Sequence, residues 1–291
     1  MKTKLLWPLA VGLLLSVTSA FSQDTNFWVF LCFGQSNMES GGRMDDQDKT
    51  VDKRFQVMAD FDSAKRDWKR GSWYDAVPPL AARGSGICMI DYFGRTMVSN
   101  LPPNIRIGVI KVSVPGCKIE LFEKGTYTNY LTTAAAWLQN AAKAYDGNPY
   151  QYLVDQGKLA QKDGVIKGIL LHQGESNPND LEWPNKVKGI YDNLIKDLNL
   201  NPKEVPFLAG ETVNADQQGQ CAGFNKIMVE LPKTLPNSYV ISSAGCTTSD
   251  RMHFNSPGSR EFGKRYGEKM LTVMGYQVKQ PNPPPAEQPA K

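Results

Sequence analysis

Two histidines occur in the 291-residue chain, His172 and His253. Histidine is the side chain best suited to exchange a proton near neutral pH, so a histidine base must be one of these two. His253 lies in Ser249-Asp250-Arg251-Met252-His253-Phe254. Three residues apart, Asp250 and His253 can meet on one turn. The carboxylate would then fix the imidazole tautomer and stabilise the imidazolium formed when the ring takes a hydroxyl proton. The same spacing also suits a purely structural turn, capped by Asp250 with His253 packed on it. A hydroxyl is offered by Ser36 in Phe33-Gly34-Gln35-Ser36-Asn37-Met38. Directly after an apolar run, it can sit on a tight turn at a helix N-terminus with its oxygen exposed, or serve as an ordinary N-cap. With Met38 two residues on, the G-x-S-x-G elbow is not matched. His172 ends another apolar run and opens His172-Gln173-Gly174-Glu175-Ser176, where it reads as a packed residue that shapes a loop. The two histidines and scattered acids make no metal set, and there is no C-x-x-C pair. No metal or organic cofactor is expected.

Five short apolar runs rich in β-branched and aromatic residues would carry these segments: 27–33, 106–114, 165–172, 205–211 and 238–244. They read as strands buried on both faces. Between them lie helix-like stretches at 87–100, 131–145, 149–161, 183–198, 223–231 and 257–274. Alternating strands and helices predict an α/β fold, a three-layer α/β/α sandwich around a five-stranded parallel sheet. In such sheets ligands sit beyond the carboxyl ends of the strands, where Ser36 and His172 fall.

Hydrophobic residues make up 41% and charged residues 21% of the chain, as in globular rather than disordered proteins. The net charge of +4 is small and evenly spread, so no nucleic-acid partner is expected. Residues 1–22 read as a cleaved export signal: Lys2 and Lys4, then an apolar stretch from Leu5 to Val17 that falls short of the roughly 20 residues a span needs, then small residues. Domain boundaries of 1–22, 23–278 and a proline-rich tail at 279–291 follow. The mature chain would have no membrane span and would be exported, periplasmic or extracellular. Export permits disulfides. Of Cys32, Cys88, Cys117, Cys221 and Cys246 at least one stays unpaired. Cys32, inside a strand, is the candidate buried thiol, and order alone suggests Cys88–Cys117 and Cys221–Cys246.

Gly34-Gln35-Ser36-Asn37-Met38, His172-Gln173-Gly174-Glu175-Ser176 and Asp250-Arg251-Met252-His253-Phe254 together resemble the motifs of the SGNH-type hydrolases. The sequence is similar to the sialate O-acetylesterase-like branch, which is akin to carbohydrate esterase family 6 acetylxylan esterases. Val112-Ser113-Val114-Pro115-Gly116-Cys117-Lys118-Ile119 fits that branch's glycine block, with Pro115 and Cys117 departing from its usual glycine and threonine. Gly84-Ser85-Gly86-Ile87 fits the loop before the first long helix. The matches run in order from about residue 27 to 275. The resemblance implies a flavodoxin-like strand order, with Ser36 as nucleophile, His253 as base and then acid, and Asp250 as its orienting partner. It also implies an oxyanion hole of the Ser36 and Gly116 N–H groups and the Gln173 side chain. Glu175 would assist or replace Asp250, or only brace its loop.

The expected activity is removal of O-acetyl groups from a carbohydrate, an acetylated polysaccharide or oligosaccharide such as acetylated xylan. A sialate O-acetylesterase is the near alternative and would want cations facing a carboxylate, for which Arg43, Arg83 and Lys118 are available. Trp68, Trp73 and Trp183 could stack on sugar or pack the core. A lipase would want an apolar rim, against which the polar stretch 41–52 argues. A non-catalytic carbohydrate-binding protein would have no need of Ser36, Asp250 and His253 together.

Overall fold

The computed structural model describes residues 23–40, 42–81, 84 and 86–279. The expected leader, Arg83, Ser85 and all of the proline-rich tail but Lys279 lie outside them. In chain order the elements are β1 (Asp24–Gly34), α1 (Ser36–Glu39), β2 (Phe55–Met58), β3 (Trp73–Asp75), α2 (Met89–Asn100) and β4 (Arg106–Ser113). There follow α3 (Tyr127–Thr133), α4 (Ala136–Lys143), α5 (Pro149–Ala160), β5 (Gly164–His172), α6 (Trp183–Asp197) and β6 (Phe207–Gly210). The chain closes with α7 (Asn225–Met228), α8 (Leu231–Thr234), β7 (Ser238–Ile241) and α9 (Ser256–Val273).

The central strand β1 shows why the sheet is covered twice. Side chains alternate across a strand, so Phe27, Val29, Leu31 and Phe33 enter one core while Trp28, Phe30 and Cys32 enter the other. The first core is closed by α4, α5 and α6 through residues such as Leu138, Leu153 and Trp183. The second is closed by α2 and α9 through Phe93, Phe262 and Met270. The strand order is β3-β2-β4-β1-β5-β6-β7. Within it, the five expected strands stand side by side in the flavodoxin-like order, all parallel. The sheet nevertheless has seven strands, not five. β2 pairs parallel with β4, and β3 pairs antiparallel with β2 at the edge. Four and three residues long, they are too short to show a period of two in a polar stretch.

The stretch expected as one helix at 131–145 is two, α3 and α4, broken by extended backbone at Ala134 and Ala135. The Thr133 hydroxyl donates to the carbonyls of Asn129 and Tyr130, a local alternative that favours a helix end. The stretch at 223–231 is likewise divided, between α7 and α8. Where a cap is present the boundary is sharp. The Asn255 side chain accepts from the Gly258 N–H at 3.0 Å, with Pro257 in the first turn of α9.

All five cysteines are buried free thiols, so neither order-based pairing forms. Cys88 belongs to the core under α2 and α9, whereas Cys117 belongs to the other, and the sheet stands between them. Cys221 spends its S–H on the Glu175 carbonyl at 3.5 Å. Burial pushes the Cys88 thiol up to about 12, against the pull of the nearby Lys111 ammonium.

Register decides what reaches the site. Gly34 is level with Ser113 of β4 and with His172 of β5, so the segments after three strands leave the sheet at one edge. The turn there needs glycine: a Cβ on Gly34, at φ +153°, would lie 2.0 Å from the His172 carbonyl oxygen. Gly34→Ala is expected to cost about 3 kcal/mol, read as a lower urea midpoint at unchanged slope. An unchanged midpoint would mean that the β1–β5 junction is looser than described.

Candidate functional site

Ser36 opens the single turn of α1, directly beyond β1. Its Oγ lies 3.0 Å from His253 Nε2. On the other side of the ring, His253 Nδ1 lies 2.9 Å from Asp250 Oδ2. A carboxylate accepts only, so Nδ1 carries the proton and Nε2 is left to accept from the serine hydroxyl. Asp250 is itself held. Its Oδ1 accepts the N–H groups of Met252 at 2.6 Å and His253 at 2.7 Å. Burial works to raise the Asp250 carboxyl, but these bonds and the imidazole outweigh it and keep the group below its usual value. Hydroxyl, imidazole and carboxylate thus stand in line, the arrangement that activates a serine for attack on an acyl carbon.

The site is open. The His253 and Asp250 side chains are 38% and 56% exposed. Gly116 follows β4 at the same edge with φ +68°, a left-handed turn that favours glycine. Among the described residues, no backbone carbonyl accepts from the Ser36 or Gly116 N–H.

Gln173, expected as the third oxyanion donor, lies among the loops beneath the Ser36 turn. The side chain is wholly buried. Its Oε1 accepts from the Trp183 indole at 2.6 Å, which fixes the amide orientation. Its Nε2 faces Asn177 Oδ1 at 2.7 Å, and Gln35 Oε1 and the Cys117 carbonyl at 3.2 Å each. In this arrangement it ties three loops together below the site.

Glu175 does not reach His253. Its Oε1 accepts from Asn37 Nδ2 at 2.8 Å and lies 3.8 Å from His172 Nδ1, in the loop-bracing place. His172 is fully buried and meets the Glu211 carbonyl at 3.1 Å. Asn37 is a positioning residue that its place in the motif alone did not reveal. It is buried beside the nucleophile, gives its amide also to the Met252 carbonyl at 2.9 Å, and accepts the Phe254 N–H at 3.1 Å. It therefore pins the Ser36 turn to both flanks of His253. Asn37→Ala is expected to cost about 2 kcal/mol in stability from the groups left unpaired and about 10²-fold in kcat from misalignment. Wild-type kcat in the folded variant would remove it from this role.

Among the suggested tryptophans, Trp68 and Trp183 are buried and Trp73 gives its N–H to Asp163 at 3.0 Å. Trp137, unnoticed in the sequence, is 57% exposed and touches the Gly116 turn. Arg43 and Lys118 are exposed. Among the described residues, no group of three His, Cys, Asp or Glu side chains could hold a metal ion, and no helix is long and apolar enough to cross a membrane.

The three-layer fold and the serine–histidine–aspartate line define a carboxylic ester hydrolase of the SGNH kind. Over residues 26–272 the chain matches the family described as carbohydrate esterase, sialic acid-specific acetylesterase, and it belongs to that family. It is a carbohydrate acetylesterase. Solved structures share the fold. A protein from Arabidopsis thaliana aligns with a TM-score of 0.64 at 19% identity, over 84% of this chain and 98% of that one. NanS aligns at 0.64 and 17% identity, over 87% and 99%. A carbohydrate acetylesterase from Xanthomonas citri aligns at 0.58 and 16% identity, over 84% of this chain and 56% of that one.

Proposed function

We propose that the protein is an exported serine esterase that removes O-acetyl groups from acetylated xylan or a related plant polysaccharide. The observation that carries the mechanism is the aligned contact Ser36 Oγ–His253 Nε2–Asp250 at 3.0 and 2.9 Å. His253 takes the Ser36 proton as the oxygen attacks the acetyl carbon, and the developing oxyanion turns to the Ser36 and Gly116 N–H groups. Each such donor is worth roughly 10²–10³ in turnover. His253 then protonates the departing sugar oxygen. Water, deprotonated by the same ring, releases acetate from acetyl-Ser36. Gln173 holds the surrounding loops in place. The open site suits a polymer, whose interior units must reach the serine without passing through a closed mouth.

A second reading, a sialate O-acetylesterase, is supported by the family's description and by the exposed cations Arg43 and Lys118, for which no carboxylate partner occurs among the described residues. Initial rates of acetate release from acetylated xylan and from O-acetylated sialic acid, measured side by side, test the choice. A preference for the sialic ester of more than about tenfold, which corresponds to ~1.4 kcal/mol, would overturn the xylan reading. Export predicts that the secreted protein begins close to residue 21 or 23.

The pH dependence follows from the pair. Asp250 is held ionised below the usual carboxylate range, so the carboxylate partner is lost only at more acid pH than an ordinary carboxylate would be. The ratio kcat/KM should fall on the acid side once no base is left to accept the Ser36 proton. A rate flat from about pH 4 to 9 would contradict histidine as base.

A further inference from the structure

We infer that Trp137 is the platform on which the sugar ring bearing the ester rests, so that it selects carbohydrate esters over other acetyl esters; this builds on the esterase reading above. Single exposed apolar side chains are ordinary, but this one has a particular place. On α4, Leu138 and Ala142 take the buried side, and Trp137 is left 57% exposed. Its ring covers the Gly116 turn: a Cβ on Gly116 would lie 2.7 Å from the indole Cη2. The absence of a side chain at Gly116 is what lets the indole come so close to the backbone proposed to hold the oxyanion.

The far side of the same turn is polar. The Gly116 carbonyl accepts from Ser176 Oγ at 3.0 Å, and Ser176 and Lys118 line an open cleft of about 360 Å³ with Asn179 and Asp180. With the Gly116 N–H taken as an oxyanion donor, the aromatic surface and the polar cleft that flank this turn are assigned to the alcohol part of the ester. That pairing matches a pyranose, whose C–H face packs on an aromatic ring while its hydroxyls need hydrogen bonds. The indole N–H has no acceptor among the described residues and is free to donate to a sugar hydroxyl. A small aryl acetate would use the triad without needing both surfaces.

The test compares kcat/KM of wild type, Trp137→Ala and Trp137→Phe on p-nitrophenyl acetate and on the faster of two sugar esters, acetylated xylo-oligosaccharide or O-acetylated sialic acid. The ratio of sugar-ester to aryl-ester activity should fall about tenfold in Trp137→Ala and recover partly in Trp137→Phe, mainly through KM. In a Ser36→Ala background, the sugar ester should change tryptophan fluorescence, and Trp137→Phe should abolish that change. A ratio within twofold of wild type in both variants, or a fluorescence change that survives Trp137→Phe, would overturn the platform. Sugar-ester hydrolysis undiminished by Ser36→Ala alone would instead overturn the serine-esterase reading on which the platform rests.

Discussion

Acetate release from the preferred sugar ester is expected to fall about 10⁴- to 10⁶-fold when Ser36 is replaced by alanine. The size of the loss follows from how the site is wired. Both ring nitrogens of His253 are engaged, one by Ser36 and one by Asp250, so no second hydroxyl stands ready to take over. Ser176, another hydroxyl at this edge, gives its proton to the Gly116 carbonyl. The activity left would be what oriented N–H groups and binding can supply to attack by water. Ser36 is partly exposed at the start of a four-residue helix, so the variant should melt close to wild type, and circular dichroism would check this.

Asp250→Ala should lower kcat by about 10⁴-fold, whereas Glu175→Ala should lower it by only about 10- to 10²-fold. Without Asp250 the imidazole loses the acceptor that fixes its tautomer, and the two N–H groups of the 250–253 turn lose their cap. Glu175 acts at one remove, through Asn37, by fixing the turn on which Ser36 sits. Its effect should be largely restored in Glu175→Gln, which keeps an acceptor for Asn37. A folded Glu175→Ala that loses more turnover than Asp250→Ala would reverse the two roles.

Much of this fold is written in local pattern. β1, β4 and β5 declare themselves because strands buried on both faces must be apolar throughout, and their carboxyl ends then point to Ser36, Gly116 and Gln173. The edge strand β3 and its neighbour β2 do not, since short strands held by register to a neighbour need no strong pattern of their own. The scarcity of histidine narrows the base to two candidates and an i,i+3 spacing lets Asp250 meet His253, but what joins Ser36 to them in the sequence is the resemblance of three separated motifs to the SGNH-type hydrolases. Asn37 and Gln173 are different: the partners of Asn37 lie 138 or more residues away in sequence, Gln173 reaches Gln35 and Cys117 on loops 138 and 56 residues away, and only the fold shows which way an amide points. Trp137 was hidden for a related reason. In an alanine-rich stretch a tryptophan reads as core, and the break at Ala134 and Ala135 resets the helix that carries it.

The most direct test of the account is labelling with a fluorophosphonate, which traps a serine activated for acyl attack. One equivalent should bind, acetate release should fall in proportion, and the label should map by peptide mass to Ser36. It should fail to bind in His253→Ala. Full activity in protein labelled at Ser36, or loss of activity with the label on another residue, would contradict Ser36 as the nucleophile.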